Sequence, residues 1–284
     1  MAIFSNQATL TYNGTATNSN IAYGEILEVL SAAKISIEGS YTSNTTVTYV
    51  ITLRNTGTAA LNGVTVSDNL GGYEQNGSVV YPLTYENGSA TLFIDGVQQA
   101  APTVIAGPPS VFSGINLPGG SDAVLVYQAR TNAYANPGSD GTITNTAIIT
   151  ATGLTTPITV SETVIAQVGP VLTISKSISP SQVVDNDRVS YTFVIQNLGN
   201  QEIVATDNAA ISDLFDPILT ALSVTFNGTP VTEGEGYNYN ETTGEFTTLP
   251  GQIVVPAASY TQDPVTGEYS VTPGIATLVV TGTI

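Results

Sequence analysis

Two stretches of this sequence repeat one another at a spacing of about 140 residues, and each carries the signature of a β-strand. Lys34 stands 15 residues before Tyr49 and 21 before Asn55; Lys176 stands 15 before Tyr191 and 21 before Asn197. Val47, Tyr49, Ile51 and Leu53 alternate with more polar residues until Asn55-Thr56-Gly57 breaks the run. Val189, Tyr191, Phe193 and Ile195 do the same before Asn197-Leu198-Gly199. Alternation of period two, closed by a glycine-containing turn, marks a half-buried strand. Each copy continues with a strand ending in an acid, at Asp68 and at Asp213, and then with a Pro-Gly turn before an apolar strand. No segment shows a convincing helical period. Short strands and frequent turns, repeated in this way, predict an all-β fold of two tandem β-sandwiches. The expected division is 1–33 as an N-terminal donor strand and linker, 34–168 as the first sandwich and 169–284 as the second.

Composition removes most chemistries. The 284 residues suffice for two cores. Five Lys and Arg against 22 Asp and Glu give a net charge of −17, through scarcity of bases rather than an acidic tract. Such a surface repels phosphate backbones, so neither nucleic acid nor an anionic membrane is an expected partner. There is no His and no Cys, which excludes imidazole catalysis, thiol nucleophiles, disulfides and the usual zinc and iron–sulfur sites. No cofactor, metal or turnover enzyme activity is expected. The acidic stretches Asp185-Asn186-Asp187 and Asp213 to Asp216 lack the glycine and distal glutamate of a dedicated calcium loop. No apolar run approaches a membrane span, and Met1 to Asn6 lacks the basic region and apolar core of a signal peptide.

The two copies close differently. After Pro118 the first continues to Asn145, within the apolar alternation Thr144 to Thr150. After Pro273 no equivalent strand is expected, but its pattern stands at the other end of the chain. Asn-x-Ala-x-x-Thr occurs at Asn6, Ala8 and Thr11, and again at Asn145, Ala147 and Thr150. The next Lys follows Asn6 by 28 residues and Asn145 by 31. The sequence therefore reads as a circularly permuted tandem, with a donor strand marked by Asn6, Ala8, Leu10 and Tyr12. Inserted into the second sandwich of a neighbouring copy, that strand would give a head-to-tail homopolymer. A locally paired or frayed N-terminal strand is the plainer alternative.

Lys34 and Lys176 are the only lysines, and both fall on the first strand of their copy among apolar residues. An inward lysine loses its proton more readily through desolvation and becomes a nucleophile. Asn145 offers a carboxamide, and a buried acid can shuttle protons while ammonia leaves. Asp68 and Asp213 are the expected acids, with Glu25 and Glu162 in reserve. The implied product is an isopeptide bond, Lys34 to Asn145 within a chain and Lys176 to Asn6 between chains. The alternatives are a snorkelling lysine, a turn carboxylate and an edge-strand asparagine.

The pattern of Lys, Tyr-x-x-x-x-x-Asn-x-Gly and Ser-Asp resembles the repeat domains of Gram-positive surface proteins. It runs through Tyr49 to Gly57, Tyr191 to Gly199, Ser67-Asp68 and Ser212-Asp213. The Lys, acid and Asn set is similar to that of self-crosslinking pilin and collagen-adhesin domains. This resemblance implies immunoglobulin-like sandwiches and an extracellular or cell-surface location. The donor strand adds the expectation of a structural filament subunit, and the lack of a signal peptide that of release at a spore surface. A monomeric adhesin or stalk module is the competing function, binding a carbohydrate or protein through Gly71 to Glu74 or the tyrosine-rich Glu233 to Asn240. Asn13, Asn44, Asn76, Asn87 and Asn227 precede x-Ser/Thr but read as turn residues.

Overall fold

The computed structural model describes residues 2–26 and 29–284. Among them there is no α-helix, only a 3-10 turn at Ala205–Asp207. The apolar residues gather into two separate cores, one from Leu30 to Ala166 and one from Val189 to Val280. The fold is all-β, with one sandwich around each core.

In the first sandwich, one sheet runs in the order Val97–Gln98, Thr91–Ile94, Asp122–Thr131, Thr46–Asn55, Leu30–Ser36. The facing sheet runs Thr103–Ile105, Ser110–Leu117, Leu61–Asp68, Thr142–Thr150, Ile158–Ala166, Ser40–Tyr41. Alternation fixes what each strand buries. Thr46–Asn55 turns Val47, Tyr49, Ile51 and Leu53 inward, Asp122–Thr131 turns in Ala123, Leu125, Tyr127 and Ala129, and Thr142–Thr150 turns in Ile143, Asn145, Ala147 and Ile149. Each large apolar side chain removed from water in this way contributes about 1.5–3 kcal/mol.

The repeated Asn-x-Gly is a tie at the end of a strand. The buried Asn197 carboxamide donates to Gln201 and Pro256 carbonyls and accepts from the Gly199 and Val171 amides. A Cβ at Gly199 would stand 2.2 Å from the Gly169 carbonyl oxygen, so only glycine fits. Asn55 repeats the arrangement with Ala59, Leu117, Pro118 and Gly57.

The second sandwich repeats the first sheet as Leu172–Ser179, Arg188–Asn197, Gly274–Thr283, Thr220–Phe226, Thr229–Val231. Its facing sheet holds only Ser212–Leu214, Glu245–Thr248 and Tyr237–Tyr239. The hairpin of Ser259–Gln262 and Tyr269–Thr272 reaches back to the first sandwich, where the Tyr269 amide donates to the Ala133 carbonyl at 2.8 Å.

The N-terminal segment differs from the single strand expected over Asn6 to Tyr12. Ala2–Asn6 pairs with Ala22–Ile26, and Thr9–Tyr12 pairs with Thr15–Asn18, with a break at Gln7-Ala8. The cause is Asn13-Gly14, whose positive φ angles of 46° and 78° form the tight turn that folds the strand back on itself. The segment is thus a two-armed hairpin, and its Leu10 and Tyr12 are exposed. The strand carrying Lys34 begins at Leu30, inside the segment assigned from sequence to donor and linker.

Candidate functional site

Lys34 projects from Leu30–Ser36 into the first core with no exposed side-chain surface. Its Nζ donates to Asp68 Oδ2 at 2.6 Å, and Asp68 is equally buried. Asp68 closes the strand Leu61–Asp68, where its Oδ1 accepts the Leu70 amide at 2.9 Å, so it is a turn carboxylate and a core acid together. The Tyr127 hydroxyl donates to the same Oδ2 that holds Lys34. Asn145 lies two residues before Ala147, which faces Asp68 in the adjacent strand. Its Nδ2 donates to the Tyr127 hydroxyl at 3.4 Å, while its Oδ1 and the Tyr49 hydroxyl are buried without partners. Lys34 Nζ sits 4.8 Å from the Tyr49 ring centroid, and the Tyr49 and Tyr127 rings stack at 5.6 Å.

The electrostatics follow from burial. Desolvation pulls the Lys34 amine below its ordinary value, against the opposing attraction of Asp68 and Glu162. Burial, reinforced by the Asp68 charge, pushes both the Tyr127 and Tyr49 hydroxyls up, so each keeps its proton and can donate. An amine, a carboxyl group and a carboxamide thus share one dry pocket with two phenolic donors.

The second sandwich holds part of this set. Lys176 Nζ donates to Asp213 Oδ2, and it lies 4.5 Å from the Tyr191 ring centroid. The side chains of Lys176 and Asp213 are 38% and 19% exposed, against 0% for both partners in the first site. Tyr49 pairs with Tyr127 across its sheet, whereas Tyr191 pairs with Val280, so no second hydroxyl is present. The Asp68 strand is flanked by Ser110–Leu117 and Thr142–Thr150; the Asp213 strand is flanked by Glu245–Thr248 alone among the described residues. No carboxamide stands where Asn145 stands. Asn6 is exposed, opposite Ala22 in its own hairpin, and no hydrogen bond joins it to Lys176.

Neither a protein-family model nor a curated protein matches the sequence. Among solved structures, the major pilin subunit BcpA of Bacillus cereus is similar over 96% of this chain and 73% of its own, at 13% identity and a TM-score of 0.39. The pilus backbone RrgB of Streptococcus pneumoniae is similar over 86% of this chain, at 12% identity and a TM-score of 0.36. This chain spans 55% of that protein's length. The collagen-binding domain of a Staphylococcus aureus adhesin is similar over 50% of this chain and 99% of its own, at 11% identity and a TM-score of 0.32. Likenesses of this order assign neither a family nor a role to the chain.

Of the reserve acids, Glu162 faces Asn145 on the adjacent strand and accepts the Ser36 hydroxyl at 2.9 Å. Glu25 is opposite Ile3, whereas Asn6 is opposite Ala22, so the hairpin register does not reproduce the Asn145–Glu162 pairing. The Glu25 side chain lies outside the described part. The tyrosine-rich loop is not a free platform: Tyr237 is buried and stacked on Phe246, and Tyr239 bonds the Leu219 backbone. Tyr73 is likewise engaged, donating to the Tyr134 carbonyl and accepting from Gln262. Asp213 is taken by Lys176, and Asp187 caps the turn at Val184.

Tyr127 escaped the sequence reading. Its alternation with Ala123, Leu125 and Ala129 looks like ordinary core, and only its place opposite Tyr49 marks it out.

Proposed function

We propose that this chain is a structural subunit of an extracellular filament, assembled head to tail by donation of its N-terminal segment to the second sandwich of the next copy. One observation carries this reading. The second sandwich leaves the edge at Ser212–Leu214 unpaired where the first has the Asn145 strand, and the N-terminal hairpin, paired among the described residues only with itself and with neither sandwich, carries the same Asn-x-Ala-x-x-Thr pattern. An open edge beside an apolar cleft is a template for another strand. Because donor and acceptor are different surfaces, the contact need not close and propagates.

In the proposed chemistry, the proton between Lys34 and Asp68 passes to the carboxyl group, leaving a neutral amine. Nζ attacks Asn145 Cγ, the Nζ–Cγ bond forms and the Cγ–Nδ2 bond breaks. Asp68 returns its proton to the departing nitrogen, which leaves as ammonia, and its carboxylate then takes up the second proton that Nζ sheds as the amide forms. The Tyr49 and Tyr127 hydroxyls border the carboxamide on which negative charge develops. At the junction, Ala8 stands opposite Asp213 as Ala147 stands opposite Asp68. Asn6 then supplies the carboxamide to Lys176.

Two variants test the two halves. Deleting residues 1 to 12 should abolish filaments in electron micrographs, and continued polymerisation of that chain overturns donation. Asn6→Ala should still assemble but fall to monomers in boiling detergent. Polymers of Asn6→Ala that resist boiling as wild type does overturn the intermolecular bond.

A further inference from the structure

We infer that the unit passed between subunits is the whole hairpin of residues 2–26, and that its second arm covers the strand Leu172–Ser179. This rests on the donation reading above and goes beyond it, because a single strand would leave the acceptor half closed. The first sandwich shows what closure requires. Two consecutive strands fill its open side: Thr142–Thr150 pairs with the Asp68 strand, and Ile158–Ala166 packs along Leu30–Ser36. The Ser36–Glu162 hydrogen bond places that second strand over the row formed by Leu30, Ala32, Lys34 and Ser36. Under this cover Leu30 is 5% exposed. The matching row of the second sandwich is Leu172, Ile174, Lys176 and Ile178. It is bare, with Leu172 45%, Ile174 57% and Ile178 43% exposed. One strand added beside Ser212–Leu214 extends the facing sheet by the counterpart of Thr142–Thr150 alone and leaves this row without the counterpart of Ile158–Ala166.

The N-terminal hairpin has the right form to supply both strands. Its arms, 2–12 and 15–26, correspond in order to Thr142–Thr150 and Ile158–Ala166. Each hairpin leads through a few residues into the first strand of a sandwich, at Leu30 and at Leu172. The second arm carries exposed apolar groups of its own, Ile21 and Tyr23. A two-stranded hairpin is marginal in water alone and gains stability by joining a larger sheet. Bare apolar surface on both components is removed by the same contact.

The test uses the full chain extended beyond Ile284 by a ten-residue linker, the length that joins Thr131 to Thr142, and then by a copy of residues 2–26 or of residues 2–12. Since the chain has no cysteine, Ile174→Cys gives a unique thiol whose labelling rate reports the cover, and Ile178→Cys serves as a second probe. The 2–26 copy should give monomers in light scattering and slow labelling on the order of 100-fold relative to a chain lacking residues 2–26, as expected of a site exposed only by local opening. The 2–12 copy should leave the thiol as reactive as in that reference. Equal protection by both copies, or monomers whose thiol stays reactive with the 2–26 copy, overturns the hairpin inference while donation stands. If neither copy stops polymerisation, donation itself fails.

Discussion

Lys34 and Lys176 occupy the same place in the two sandwiches and pair with the same kind of acid, yet the first pair is wholly buried and the second is open to water on one side. The difference does not lie in the lysine strands, whose neighbours in the sheet correspond throughout. It lies in two strands present beside the first site and not beside the second. Position along a repeat sets which side chains turn inward; whether inward means dry depends on the last strands to be added. A lysine in a sandwich that still has an open side keeps part of its side chain in water. The same lysine under a complete cover is pushed toward the neutral amine that nucleophilic attack needs.

Four sets of variants press on this comparison. The largest effect should come from Asp68→Ala, which strands the Lys34 amine in the core and destabilises the first sandwich by about 3–5 kcal/mol. The equivalent Asp213→Ala in a monomer should cost no more than about 1 kcal/mol, since water screens Lys176. Denaturant titration of the two variants checks the contrast, and equal losses would break it. Mass spectrometry of the same pair is a sharper reading. Wild type should be lighter by about 17 Da for each bond formed, from loss of ammonia. Asp68→Ala should return the bond in the first sandwich to the unreacted mass.

Next in size is a pair at the start of the lysine strands. Leu30→Ala should cost about 2–4 kcal/mol, whereas Leu172→Ala in a monomer should cost under about 1 kcal/mol, because Leu172 is already 45% exposed. Assembly should make Leu172→Ala as costly as Leu30→Ala, visible as a lowered melting temperature of the polymer.

Tyr127→Phe keeps the ring stack but removes the hydroxyl shared between Asp68 and Asn145. A loss of about 1.5–3 kcal/mol is expected, with slower appearance of the mass deficit. A rate equal to wild type would exclude the hydroxyl from the reaction.

The smallest effect is the pH dependence. Because the folded Lys34 amine is lowered, the unfolded chain binds more protons between that value and the ordinary 10.5. An Asn145→Ala chain, which has no carboxamide to attack, should therefore gain stability in its first sandwich as pH rises from neutral towards about 10, beyond which tyrosine ionisation in the unfolded chain opposes the gain. A stability that falls over this interval contradicts a desolvated amine.

The alternation of Val47 to Leu53, the repeated Lys-to-Asn spacings and the acids closing the next strands were enough to place Lys34 and Asp68 in one core. They worked because period two leaves no freedom over which residues face inward. Asn145 was legible for the same reason, as the polar member of a run whose neighbours Ala147 and Ile149 are apolar. Tyr127 was not, since a phenol reads as core until its cross-strand partner is known. The hairpin was half legible. Asn13-Gly14 is a strong turn signal, but pairing it with the Asn6 strand required seeing that Thr15–Asn18 and Ala22–Ile26 return along it. The extent of the bare row beside Lys176 was hidden, because exposure depends on strands that lie far away in sequence.

Connectivity gives the proposed crosslink a mechanical meaning. A pull along the filament would enter the first sandwich at Leu30 and leave it beyond Ala166, at opposite ends of its chain. With Lys34 joined to Asn145, tension runs from Leu30 to Lys34, across the bond, and out through residues 145–166. Residues 35–144, which hold most of the hydrophobic core, then form a closed loop off the line of force. Stretching would strain covalent bonds and short stretches of three strands, while the sheets that shape the subunit stay slack and folded.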